Sequence, residues 1–320
     1  MAENFKVTDR RRVSATGEIR GRAIRDQRPR VSFTEFRKPA NNAFRHYSVH
    51  LRRGVRDEAL TPPAFWMLVH GLLCSSFDCF AGIVTLNADK ATKRLGLQAT
   101  VLVRSLMEAY GNLMALAERP TENVRLFERD HYLNQYRQLK AMKQIRAGRK
   151  GWDEVIERNE KTMTRLATMF GLRPEEAGDP ESHPDIKPWP TPYYLFNARS
   201  TKVPALLQGE RAATFGDLYE LWYAHLSGIA HQRFAAAAQA WIAEDPDSEF
   251  DASEQASEIV MHTLLFLGCV LAEVQAIAQE RGAAIPNNVH VVALWTLLRV
   301  HYNETDELLK RRYGRVLGIA

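Results

Sequence analysis

The feature that most constrains this chain is the stretch Leu95 to Ala117, LGLQATVLVRSLMEAYGNLMALA. Leu97, Val101, Leu102, Val103, Leu106, Met107, Tyr110, Leu113 and Met114 put apolar groups almost all the way round a helix, so this rod needs neighbours on most sides. Arg104, Glu108 and Asn112 interrupt it at intervals of four, with Ser105 beside them, and share one narrow stripe. A guanidinium and a carboxylate in such a setting must be paired or must line a cleft, because a dry, unpaired charge is strongly unfavourable.

A chain of 320 residues that is 45% hydrophobic can build a large core around such a rod. Gly and Pro are sparse beside Ala, Leu and Arg, which makes helix the expectation elsewhere too. Pro62 and Pro63 open a helix to about Asn87, with Phe65, Leu68, Leu72, Phe77, Phe80 and Ile83 on its buried side. After Pro120, Thr121 caps a strongly charged helix to about Gly148, and another runs from Trp152 to Phe170 with Gly171 as its left-handed stop. Further helices are expected over about Thr214 to Ala243, Ala252 to Arg281 and Asn287 to Tyr313, with Lys310, Arg311 and Arg312 complementing the dipole of the last turn.

Between Arg173 and Val203 the prolines 174, 180, 184, 188, 190 and 192 forbid a continuous helix, whereas Trp189, Tyr193, Tyr194 and Phe196 are too apolar for a free linker. An ordered strap over residues 173–203, folded back onto the helices, is expected. The fold class is therefore all-α: an antiparallel bundle of about seven long helices forming one domain over residues 59–320, behind an irregular basic arm over residues 1–58.

The arm dominates the charge. Residues 1–56 hold 15 Lys and Arg against 5 Asp and Glu, a surplus of +10, which leaves residues 57–320 with 28 against 33, or −5. The arm shows neither a sustained helical period nor clean alternation, apart from the strand-like VSFTEF from Val31 to Phe36. Arg10, Arg11, Arg12, Arg20, Arg22 and Arg25 suit a salt-sensitive contact with RNA or another polyanion, and equally a solvated tail or a clamp across an acidic face of the same molecule.

Three cysteines, Cys74, Cys79 and Cys269, leave an odd count without metal-ligand spacing and fit a reducing compartment. No secretory signal opens the chain, and the apolar windows from Phe65 to Leu86 and from Ile259 to Ala272 are broken by His70, Asp78 and His262. A cytoplasmic location with no membrane partner follows as the expectation.

The second polar feature lies in LYELWYAHLSGIAHQRFAAAAQAW. Leu218, Trp222, Leu226 and Ile229 share one helical face, while Glu220, Ser227 and His231 fall nearly opposite. Ala224, Gly228, Ala235 and Ala238 line the face of His231 and admit a close helix, so the imidazole belongs in an interhelical groove where its pKa can be tuned. Ser227 and His231 are also consistent with a satisfied core pair. If the Arg104 and Glu108 stripe faces this groove, a cation, a carboxylate, a hydroxyl and an imidazole meet in one seam. The Arg-before-Glu order favours partners across helices.

Metal sites are not expected. Glu128 and His131 lack the second Glu-x-x-His pair of a di-iron bundle, and His46 and His50 lack a third ligand. No phosphate loop, dinucleotide fingerprint, zinc signature or nucleophile elbow occurs, so no cofactor is implied.

At RSLMEAYGNL (Arg104 to Leu113) and YAHLSGIAHQR (Tyr223 to Arg233) the chain resembles an uncharacterised all-helical bacterial family related to HEPN domains and abortive-infection proteins. The resemblance covers about residues 60–280. It implies a metal-independent ribonuclease in toxin–antitoxin or antiphage defence, a homodimer, and an antitoxin or operon partner. The HEPN motif places an Arg five to seven residues before its His, which is absent before His231; Arg45/His50 and Arg125/His131 match only as often as composition supplies. Under this reading His231 is the general acid/base, Arg104 stabilises phosphate charge, and Glu108 and Ser227 orient them. A non-catalytic interaction module, with the polar seam fixing helix register and the basic arm binding a partner or nucleic acid, is the competing expectation.

Overall fold

The computed structural model describes residues 33–54, 63–88, 96–146, 148–200, 219, 223, 252–283, 285–286, 289–299, 310 and 312–318. Among them every regular element is helical and there is no strand. In chain order these are α1 (Phe33–Gly54), α2 (Pro63–Ala88), α3 (Gly96–Glu118), α4 (Pro120–Arg146), α5 (Asp153–Met169), α6 (Pro174–Gly178), α7 (Pro192–Ser200), α8 (Ala252–Glu280) and α9 (Val289–Arg299). Residues 312–317 are also helical. The helix expected over 214–243 lies outside the described residues except at Tyr219 and Tyr223.

α3 is the apolar rod and occupies the centre, flanked by α2 and α8, with α1 and α9 closing the layer. Val103, Leu106, Met107, Tyr110, Leu113 and Met114 are all fully buried. Consecutive helices pack antiparallel: Phe44 stacks on Phe77 while Phe36 meets Phe80, and Gly82 faces Leu102 so closely that a Cβ there would lie 2.9 Å from Leu102 Cδ1. α8 departs from the all-antiparallel expectation. Tyr110 is linked through Tyr313 to Glu273, and the Ala117 carbonyl accepts a 2.8 Å bond from Arg281, so α3 and α8 run in the same direction. Parallel neighbours require a long connection, which the chain between α3 and α8 supplies.

The irregular-arm reading is corrected over residues 33–54. Phe36, Ala40, Ala43, Tyr47 and Leu51 recur every three or four positions and are buried in the main core. The supposed strand at 33–36 is the first turn of α1, and Pro39 is held inside the helix by this packing. The remainder of the arm, Arg10, Arg11, Arg12, Arg20, Arg22 and Arg25 included, lies outside the described residues.

α4 and α5 form a hairpin beside the bundle. His131 meets Phe170 and Lys143 meets Glu160, the pairing of antiparallel helices, around a small core of Tyr132, Leu139, Ile156 and Met163. Gly171, at φ +60°, turns the chain out of α5 into the strap, as a left-handed stop should. The strap contains two short helices, α6 and α7. Phe196 is fully buried against α3, where Gly111 makes room: a Cβ on Gly111 would stand 2.8 Å from the Phe196 ring.

By length and composition alone, Pro63–Leu86 and Ile259–Glu280 are each long and apolar enough to cross a membrane. The second is 89% buried, as a central helix of a helical core would be, and the first 28%.

Candidate functional site

The polar stripe of α3 divides its work. Asn112 accepts a 2.8 Å bond from the Trp189 indole, whose backbone N–H is held at 2.9 Å by Asp130 of α4. Trp189 also packs edge-on against Phe127. The lower stripe therefore anchors the strap, and Ser105 bonds back to the Val101 carbonyl of its own helix.

Arg104 and Glu108 pair with each other, Nε to Oε1 at 2.9 Å, so the intrahelical contact forms despite the weaker Arg-first order. That order favours partners across helices, and both kinds of contact are present. A third group joins them from the second polar segment: Tyr223 accepts from Arg104 Nη2 at 2.8 Å and donates to Glu108 Oε1 at 2.9 Å. The guanidinium also lies 4.9 Å from the centre of the Tyr223 ring. Burial alone would lower the Arg104 pKa, but Glu108 and Tyr223 outweigh it and hold the group charged. Burial, and then the Glu108 carboxylate, push the Tyr223 hydroxyl up to about 12 against the opposing pull of Arg104.

Tyr223 is the functional candidate that sequence reasoning missed. Its signal was present: it stands four residues before Ser227 and eight before His231. Ser227 and His231 themselves lie outside the described residues.

From Tyr223 a run of rings leads to the surface. Tyr219 stacks on Tyr223 with centroids 4.7 Å apart, and Tyr193 meets Tyr219 at 5.3 Å. Tyr193 and its neighbour Tyr194 are exposed. Aromatic faces ending at a fixed guanidinium can take flat, unsaturated groups in stacking and an anion at the inner end.

A separate cluster, Glu176, His183 and Asp185, brings three potential metal-ligand atoms within 4.8 Å of one another. The place of a cation there is already filled by Arg173. Its guanidinium bonds Asp185 at 2.9 Å and lies 3.3 Å from Glu176. Glu176 further accepts from Arg129 at 2.8 Å and from the Arg173 backbone N–H at 2.7 Å. Burial would raise the Glu176 carboxyl, yet these donors hold it down at about 2. The arrangement ties α6 to α4 and does not fit a metal.

The third polar cluster has its carboxylate and its phenols sealed in the core, with the Arg312 side chain 30% exposed at its edge, and the sequence did not announce it. Arg312 forks onto Glu273 at 2.9 and 2.8 Å and stands at the start of the last described helical segment, so its charge serves that carboxylate and not the dipole of a last turn. Tyr313 donates to the same carboxylate, and its hydroxyl lies 2.9 Å from that of Tyr110. Burial first, then Glu273 nearby, raise the Tyr313 hydroxyl well above its ordinary value. Cys269, beside the cluster, is raised by burial and by Glu273, which leaves it an inert thiol.

Residues 67–249 match a family described as a family of unknown function (DUF5677). No curated protein and no solved structure matches the chain. The matched region holds Arg104, Glu108, the strap and Tyr223, and since it spans more than half of the sequence, the chain belongs to this family.

Proposed function

We propose that this protein binds and acts on RNA, as a HEPN-like, metal-independent ribonuclease in a bacterial defence or stress role. One observation supports the reading: Tyr223, which precedes Ser227 by four positions and His231 by eight in the sequence, bonds Arg104 and Glu108 at 2.8 and 2.9 Å. Bases stack on Tyr193 and Tyr219, and a phosphate meets Arg104, whose fork is aimed by Glu108 and Tyr223. His231 is the general acid/base for attack by the ribose hydroxyl, with Ser227 orienting it. The location proposed is cytoplasmic, supported by three free cysteines.

The test is cleavage of a labelled single-stranded RNA in the presence of a chelator, by the wild-type chain and by His231→Ala and Arg104→Ala. Loss of cleavage in both folded variants is expected, by about a hundredfold or more for the histidine. Full cleavage by either folded variant removes that residue from the mechanism. The interaction-module reading is favoured by a specific feature, the mutual satisfaction of Arg104 and Glu108. It predicts that the same variants lose stability and nothing else.

A further inference from the structure

α1 divides its two sides sharply. Its inner ridge, Phe36, Ala40, Ala43, Tyr47 and Leu51, is at most 1% exposed. At about 100° per residue, Lys38, Arg45 and Arg52 stand on the opposite ridge. They recur every seven positions and are all exposed, as are Arg37 and Arg53 to either side. Among the described residues none of these five cations enters an ion pair. On α4 and α5, Arg129, Arg137, Lys140, Lys143 and Lys161 each hold a carboxylate. Arg125, Arg158 and Arg165 there enter no ion pair among the described residues, but the three do not form a row at seven-residue spacing. The acidic side chain of α1's first turn, Glu35, lies at the far end from Arg52 and Arg53.

A row of exposed cations without carboxylate partners on a rigid helix is held at fixed spacing, about 10 Å between successive members and about 21 Å overall. A helix that lies on a membrane turns its apolar ridge into the lipid. The apolar ridge of α1 is committed to the core, which leaves the outer ridge to electrostatics alone. A phosphodiester backbone has the matching chemistry, a line of repeated negative charges that needs no apolar contact.

We infer that the outer ridge of α1 is a backbone track for single-stranded RNA, with Lys38, Arg45 and Arg52 as its phosphate contacts. The inference rests on the RNA reading above and adds to it a folded electrostatic surface distinct from Arg104 and the tyrosines.

The experiment measures binding of a fluorescently labelled single-stranded oligoribonucleotide to the full chain across a salt series. The protein is wild type, the Lys38→Gln/Arg45→Gln/Arg52→Gln variant, or a Lys143→Gln/Lys161→Gln control. Each lost contact removes about 0.7 from the slope of log affinity against log salt, so the triple variant is expected to be shallower by about 2. The control keeps the wild-type slope. A folded triple variant with unchanged slope overturns the track and leaves the RNA reading standing, as does an equal loss in the control, which would mean that only net charge matters. A wild-type chain that binds no RNA overturns the RNA reading and the track together.

Discussion

The central helix meets two clusters built from the same three groups, a carboxylate, a guanidinium and a phenol. At Glu273, Arg312 and Tyr313 the carboxylate is 2% exposed and the phenol is fully buried in the main core, while the Arg312 side chain keeps 30% of its surface in solvent. At Arg104, Glu108 and Tyr223 the ion pair remains 21% and 34% exposed and opens along stacked tyrosines to the surface. Identical chemistry thus serves two ends. With its carboxylate sealed, it fixes α3, α8 and the C-terminal helix in register; with its carboxylate half open, it keeps a charged, oriented pair at the edge of the core.

The comparison breaks most visibly at the sealed cluster. Glu273→Gln leaves the part-buried Arg312 without its counter-charge, and denaturant unfolding should show a loss of about 3 kcal/mol, the lower end for breaking a buried pair because Arg312 is partly solvated. A Glu273→Met/Arg312→Met double variant should recover much of it. If the single variant costs less than 1 kcal/mol by the same measurement, the sealed cluster is not the structural one. Gly111→Ala comes next. Its Cβ would press on Phe196 at 2.8 Å, overpacking costs about 1–3 kcal/mol, and red-shifted Trp fluorescence would report the displaced strap.

Tyr223→Phe sharpens the contrast from the open side. It removes two hydrogen bonds and should cost about 1–2 kcal/mol by thermal or chemical unfolding. It also changes the pH profile. Because the native hydroxyl sits at about 12, above its ordinary value near 10, its stabilising contribution is complete below pH ~10 and disappears as pH rises to ~12. Wild type and Tyr223→Phe should therefore converge in stability over that window; parallel curves would mean that the phenol is not held by Glu108. The smallest effect belongs to Glu108→Gln, about 0–1 kcal/mol for a part-exposed pair, yet RNA binding should fall if the fork is aimed for a phosphate. In the acid range Glu176, held at about 2, contributes stability that is present above its ordinary value and is lost as pH falls toward 2. Arg129→Met should flatten that loss.

What could be read in the sequence follows the physics of each element. α2, α3 and α5 are legible because apolar runs and their punctuation by proline and glycine act locally. α1 is written in the same period, but Pro39, Asn41, Asn42 and five cations mask it, and only a partner core makes the Phe36-to-Leu51 ridge worth more than those local penalties. The stripe of α3 was visible as a stripe. What satisfied it was not, since Tyr223 and Trp189 approach from 115 and 77 residues away. Glu273 carries no signal in the sequence, because its partner Arg312 lies 39 residues on, beyond any local pattern.

Trp189 has a consequence of its own. With its indole on α3 and its backbone on α4, it ties the central helix of the bundle to the hairpin. Any pull on the hairpin is carried through that ring to Asn112, one turn below Glu108 on the same face. A partner that grips the hairpin therefore has a short rigid linkage to the open cluster.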